Sequence, residues 1–139
     1  MSGTYGAWLS TKLVAEGRSE EAIAAANEEL AAVADDPEIL FNRGQAQAAL
    51  GRYDRAVADF EAALVMDTSA SSLDPEALDD ELFHVLRTWA TARRDEPDAA
   101  LMTIRRYRSL LPAGRHLDDI GKWEDSLRGV QAVWYRERV

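Results

Sequence analysis

The sequence predicts an all-α fold made of repeated antiparallel helix pairs and one further helix at the end. Three observations support this prediction. A plan of about 34 residues recurs along the chain, apolar residues return at three- and four-residue spacing, and glycine or proline stands where each apolar run stops. The chain has 139 residues, of which 47% are hydrophobic and 29% charged, as expected of one globular domain.

The clearest copy of the plan occupies residues 37–70 and reads PEILFNRGQAQAALGRYDRAVADFEAALVMDTSA. We expect Asp36 to cap its first helix, with Pro37 at the first helical position. Leu50-Gly51 marks the end of that helix, because glycine is favoured just past a helix terminus. A second helix should follow, whose apolar residues share one face: Val57, Phe60, Ala63 and Leu64.

Two further copies flank this one. In residues 3–36 the residues that correspond to Gly51, Ala56 and Leu64 are Gly17, Ala22 and Leu30. A third copy, residues 81–112, is offset from the second by an insertion of about ten residues, 71–80. In that copy Ala100 takes the position of Ala56 and Ile104 that of Phe60.

The insertion carries its own helix signal. Asp74-Pro75-Glu76 is a second cap-and-start sequence, followed by Leu78, Leu82, Val85 and Trp89 at helical spacing. We therefore predict a helix from near Pro75 to about Arg94, one to two turns longer than its counterparts. The extra turns either form a separate contact surface or lengthen the packing only.

A last helix is predicted from about His116 to Arg138. It carries a continuous apolar stripe, Leu117, Ile120, Trp123, Leu127, Val130 and Trp134. Gly121 and Gly129 each weaken it by about 1 kcal/mol relative to alanine, so packing against the preceding pair must hold it in place. The role expected for this helix is to cover the open face of the last pair.

The residues at fixed offsets in the middle copy resemble the signature of the tetratricopeptide-repeat (TPR) family: Gly44, Gly51, Tyr53, Ala56, Phe60 and Ala63. The resemblance covers about residues 3–112. It implies an α-solenoid within a single domain, 1–139, with repeats at 3–36, 37–70 and 81–112 and a solvating helix within 113–139. That fold would have seven helices and no sheet.

The flanking copies depart from the signature. Ser10 and Thr88 stand at the position of Gly44, where a small residue is still kept. Glu29 and Tyr107 stand at the position of Ala63, and Tyr107 is too bulky for the usual close helix contact. At the close crossings of antiparallel helices only Gly, Ala, Ser or Thr fit.

The resemblance also implies a concave groove that binds a partner. The groove positions that it assigns are Phe41, Asn42, Gln45, Leu82, Val85, Trp89 and Arg93. We interpret Phe41 and Trp89 as aromatic anchors for a ligand. The alternative is that the last helix or neighbouring side chains bury them. Expected partners are an extended or helical segment bound through apolar contacts, with Arg93 or Arg87 meeting an acidic group.

Some TPR domains clamp a C-terminal carboxylate through Lys and Asn residues. Asn42 matches one such position. Ala7 and Thr11 stand where that clamp needs Lys and Asn, so we expect no clamp here.

A basic cluster from the third copy, which includes Arg94, Arg105 and Arg108, suggests a secondary patch for carboxylate or phosphate groups. The alternative is pairing within the chain, with Asp95, Glu96 and Asp98. The net charge of −9 repels nucleic acid at long range, which argues against that partner.

No catalytic motif accompanies these features. The chain has no cysteine and two histidines far apart, and we find no phosphate-binding glycine loop and no nucleophile pattern, so no cofactor or metal is expected. The N-terminus lacks the features of a secretory signal and no apolar run reaches the roughly 18 residues of a membrane helix, so we expect a cytoplasmic protein.

The predicted function is a non-catalytic adaptor or chaperone-like module that binds a peptide or protein segment in its concave groove. One alternative is a self-associating structural or assembly unit, which would use the overhang near Leu78 or the Trp134-Tyr135 end. Another is polyanion binding through the arginine patch.

Overall fold

The computed structural model of the chain describes residues 12–13, 15–33, 36–66 and 71–138. Within these ranges there are six helices and no strand, which confirms the all-α class. The helices are α1 Ser19–Ala32, α2 Pro37–Ala49, α3 Tyr53–Leu64, α4 Pro75–Ala92, α5 Pro97–Leu110 and α6 Leu117–Arg138. The first helix of residues 3–36, including Ser10, lies mostly outside the described residues.

Two helix starts are fixed by aspartate side chains, as the sequence predicts. Asp36 Oδ1 accepts hydrogen bonds from the backbone N–H groups of Glu38 at 3.0 Å and Ile39 at 3.2 Å. Asp74 Oδ1 accepts one from the N–H of Glu76 at 3.0 Å. These bonds satisfy donors that have no partner inside the helix, so each helix begins where the cap stands. The helix that begins at Pro75 ends at Ala92, two residues before the predicted end at Arg94.

The turns at Gly17 and Gly51 have the same geometry. Both glycines lie in the left-handed region, with φ of 73° and 74°. The residue after each donates its N–H to the carbonyl five positions back, Arg18 to Leu13 at 2.8 Å and Arg52 to Gln47 at 2.9 Å. A side chain would be strained at that φ, so the recurring glycine is explained by the turn itself.

The chain divides into two compact units, Met1–Glu81 and Leu82–Val139. In the first unit α2 packs against both α1 and α3. A methyl group placed on Gly44 would lie 2.6 Å from the ring of Phe60, which is fully buried. Ala22 and Ala56 are also fully buried. Small residues therefore stand where the predicted pattern requires close helix contact.

Arg43 links three helices of the first unit. Its Nε and Nη2 donate to the two carboxylate oxygens of Asp59 at 2.9 and 2.6 Å, and its Nη1 donates to Asn27 Oδ1 at 2.9 Å. Asp59 is buried, so its charge is compensated by this two-pronged contact. α1, α2 and α3 are thereby joined by one guanidinium.

The insertion contributes to the core of the first unit. Leu73 is buried and Leu78 is 2% exposed. Of the two interpretations of the extra turns, these side chains favour a role in packing. Leu78 is not available on the surface for self-association.

In the second unit α5 packs against α6, and Ala100, Ile104 and Ile120 are fully buried. Tyr107 is also fully buried, although it takes the position of a small residue. Its hydroxyl accepts a hydrogen bond from the N–H of His116 at 3.0 Å, and its ring meets Phe83 edge-on at 6.0 Å. A side chain on Gly114 would overlap that hydroxyl, so Gly114 provides the space that Tyr107 fills.

Candidate functional site

The groove positions on α2 differ in accessibility. Phe41 is half-buried, with its ring centroid 5.7 Å from that of Phe60. Gln45 is also half-buried, and its Nε2 donates to Glu81 Oε1 at 3.3 Å. Asn42 is buried. In the first unit, Phe41 and Gln45 are therefore the predicted positions that a partner could reach.

The groove positions on α4 also divide into buried and partly accessible residues. Leu82 and Val85 are almost completely buried, as are Leu86 and Ala90 on the same helix. Their three- and four-residue spacing places them on the face that α4 buries, so they contribute to the core. Trp89 and Arg93 are half-buried and retain exposed surface.

Trp89 and Arg93 form one structural feature at the end of α4. The guanidinium carbon of Arg93 lies 4.2 Å from the centroid of the Trp89 ring, a cation–π contact. Arg93 Nη1 also donates to Thr103 Oγ1 at 3.2 Å, and Thr103 donates to the carbonyl of Ala99 at 2.7 Å. The cation is thus held in position, and the pair presents an apolar surface beside a fixed positive charge.

The arginine cluster on α5 meets an acid that the sequence analysis did not consider. Arg108 Nη2 donates to Glu124 Oε1 at 2.5 Å and Arg105 Nε donates to Oε2 at 3.2 Å. Glu124 is buried on α6, and the bond from Arg108 above all lowers its pKa below the usual range. Pairing within the chain is therefore observed for Arg105 and Arg108, although not with Asp95, Glu96 or Asp98. The sequence contains a signal for this contact, since Glu124 interrupts the apolar stripe between Ile120 and Leu127.

Arg94 belongs to a different feature, a cavity of about 640 Å³ in the second unit. We call it the α6 groove. It lies between the turn that precedes α5 and the C-terminal half of α6, and its lining residues are Arg94, Asp95, Ser126, Gly129, Val130, Val133, Trp134, Glu137 and Arg138. Val130 and Trp134 belong to the apolar stripe predicted for this helix, and Gly129 was expected to weaken it. Ser126, Val133 and Glu137 were not predicted, although their spacing on one helix face was the available signal.

The described part of the chain contains no group of three or more His, Cys, Asp or Glu side chains that could hold a metal ion. None of its helices combines the length and apolar character needed to cross a membrane.

Comparison with known proteins finds one matching protein family. Residues 9–72 match the family model described as tetratricopeptide repeat, a segment that spans most of the first two copies of the plan. No curated protein matches the chain. Repeats of this family generally mediate protein–protein interactions, and the family is typically non-catalytic. With the matching left-handed turns at Gly17 and Gly51 and the close contact of Gly44 with Phe60, this match identifies residues 9–72 as tetratricopeptide repeats.

Proposed function

We propose that the chain is a non-catalytic adaptor or chaperone-like module that binds a segment of another protein through inner-face positions of its repeats. The observation that carries the proposal is the Trp89–Arg93 pair. An aromatic ring that remains half-exposed beside an anchored cation is a surface that a partner can bury at little cost in conformational entropy.

The chemistry of the pair defines the partner segment. An apolar side chain of the segment would pack on the exposed part of the Trp89 ring. An acidic side chain would meet Arg93, which has five N–H donors and uses one of them on Thr103. In the first unit, taken by itself, Phe41 and Gln45 are half-buried and offer one apolar and one polar contact. The segment is therefore expected to carry apolar residues next to a carboxylate.

The test begins with proteins captured from the source cell on the immobilised chain and identified by mass spectrometry. The affinity of the captured segment is then measured by calorimetry for the wild-type chain, Trp89→Ala and Arg93→Gln. We expect Trp89→Ala to weaken binding by about thirtyfold, the effect of a truncated anchor worth about 2 kcal/mol.

Met102→Ala is the matched control, because Met102 is an apolar side chain on α5 that is 73% exposed. It should bind as the wild type does. Arg93→Gln keeps the indole and removes the charge, so it separates a binding defect from a folding defect. Wild-type affinity in both Trp89→Ala and Arg93→Gln would contradict the proposal.

A further inference from the structure

Two sets of polar contacts connect one side of α6 to α5. Glu124 accepts from Arg105 and Arg108, as described above. Further along α6, Gln131 Nε2 and Tyr135 Oη donate to the two oxygens of Asp98, each at 2.5 Å. Leu127, between these contacts, and Ile120, one turn before Glu124, are buried. This side of α6 therefore packs against α5.

The side of α6 that lines the α6 groove is different. Val130 and Val133 are 44% and 45% exposed, and a methyl group on Gly129 would meet nothing within 4 Å. Trp134 Nε1 is buried and has no hydrogen-bond partner among the described residues. A buried donor without an acceptor is unfavourable, and exposed valines next to it favour contact with another molecule.

The groove residues on α6 are arranged symmetrically along the helix. Six of the seven fall into pairs about a midpoint between residues 131 and 132, with Val130 matched to Val133, Gly129 to Trp134, and Ser126 to Glu137. Two identical helices that cross antiparallel at this midpoint would place each residue opposite the other member of its pair. The empty space at Gly129 would then lie opposite the large ring of Trp134 from the other copy.

We propose that the α6 groove binds α6 of a second copy of this chain, antiparallel and centred between residues 131 and 132, to form a symmetric dimer. Such an interface uses the same surface on both copies. Residues 125–138 would overlap over about 21 Å at 1.5 Å per residue. Glycine opposite tryptophan and valine opposite valine give the interface its complementary shape.

The charges on this surface also suit a second copy. The chain as a whole carries a net charge of −9, which opposes self-association. The α6 groove itself is lined by two acids, Asp95 and Glu137, and two bases, Arg94 and Arg138. In the antiparallel arrangement the exposed carboxylate of Asp125 would lie opposite Arg138 of the other copy, twice per dimer. The proposed contact thus avoids the repulsion that the remaining surface would cause.

The first experiment measures the association constant by sedimentation equilibrium for the wild type, Gly129→Leu and Gly121→Leu. Both glycines lie on α6, and neither has an atom within 4 Å of an added methyl group, so both variants should fold. The wild type should reach a dimer as concentration rises. Gly129→Leu should weaken association by at least about tenfold, because the new side chain occupies the place of the opposing indole. Gly121→Leu should associate as the wild type does. A wild type that stays monomeric, or equal association of both variants, would overturn the proposal.

A charge exchange tests the antiparallel arrangement itself. Asp125→Arg and Arg138→Asp each place two like-charged pairs in their own dimer, and each alone should associate more weakly than the wild type. In an equimolar mixture the two variants complement each other at both pairs, so a heterodimer should form with restored affinity. If mixing restores nothing, the antiparallel register is wrong. The Trp89→Ala variant should dimerise normally, which keeps this result separate from the test of partner binding.

Discussion

At the scale of single residues, Gly44 lies at a close contact between α2 and α3. A methyl group there would lie 2.6 to 2.9 Å from three atoms of the Phe60 ring, and this ring is fully buried and cannot move aside cheaply. We expect Gly44→Ala to cost about 1 to 3 kcal/mol through overpacking, partly offset by the better helix propensity of alanine. Gly121→Ala, with open space around it, should gain up to about 1 kcal/mol. Urea unfolding of both variants measures the difference, and an equal effect at the two positions would contradict the close crossing.

Arg43 and Asp59 provide a second test at this scale. Asp59 is buried and Arg43 satisfies both of its carboxylate oxygens, so Arg43→Met would leave a buried charge without compensation. We expect a loss of about 2 to 4 kcal/mol in the free energy of unfolding. Adding Asp59→Leu should recover most of the lost stability, because the buried carboxylate is then absent. A double variant no more stable than Arg43→Met would show that packing, and not charge, explains the loss.

Residues whose role depends on near neighbours in sequence were predictable. Asp36, Asp74, Gly17 and Gly51 act through backbone groups within five positions, so the sequence contains both partners of each contact. Tyr107 was different, because the space that it fills is created by Gly114 and its hydroxyl meets His116. Such contacts depend on a loop conformation that no local pattern encodes.

At the scale of helices, the pattern predicted where elements lie better than which face they bury. α4 begins at Pro75 as expected, yet Leu82 and Val85, assigned to a groove by their place in the repeat, are buried. Repeat position tells which way a side chain points relative to its own helix pair. It does not tell whether that side chain is exposed or buried in the folded protein.

The stability of the packing between α5 and α6 should depend on pH because of Glu124. The hydrogen bond from Arg108 lowers the pKa of Glu124 below its ordinary value of 4.5 in the folded state. A carboxyl group with a lowered pKa stabilises the fold above its unfolded pKa, and this contribution is lost as pH falls through the folded pKa. Stability should therefore decline below about pH 4.5.

Glu124→Gln is the variant that isolates this effect. At pH 7 it should be less stable than the wild type by about 1 to 2 kcal/mol, since two charge-assisted hydrogen bonds are weakened. The difference should shrink as the pH falls below about 4.5, since the wild-type carboxyl becomes neutral as the pH passes through its lowered pKa. Glu28→Gln, at an exposed position on α1, should change little at either pH. Urea midpoints at pH 7 and pH 3 give the result, and a gap that stays constant between them would contradict the role of the charge.

At the scale of the whole molecule, the second unit carries two surfaces with different proposed partners. The Trp89–Arg93 pair lies at the end of α4, and the α6 groove is lined mainly by the C-terminal half of α6. The repeated helix pair could be predicted from the sequence because its characteristic residues recur at regular spacing. The α6 groove could not be predicted in this way, because it depends on which side of α6 turns toward α5. That orientation depends on contacts of Asp98 and Glu124 with residues 16 to 37 positions away.

Because the two surfaces share no residue, their functions should be separable. Trp89→Ala should lose binding of the captured segment by about thirtyfold and keep the wild-type dimerisation constant. Gly129→Leu should lose dimerisation and keep the affinity of each chain for the segment. Calorimetry and sedimentation on the same two samples give all four values. Dimerisation would place two copies of the Trp89–Arg93 site on one particle. A partner with two such segments, joined by a linker that can span both sites, should then bind the wild type more tightly than it binds Gly129→Leu. The expected difference in affinity is roughly 10²-fold or more. A single-segment partner should show no such difference, and avidity that persists in Gly129→Leu would mean that the two copies meet through a different surface.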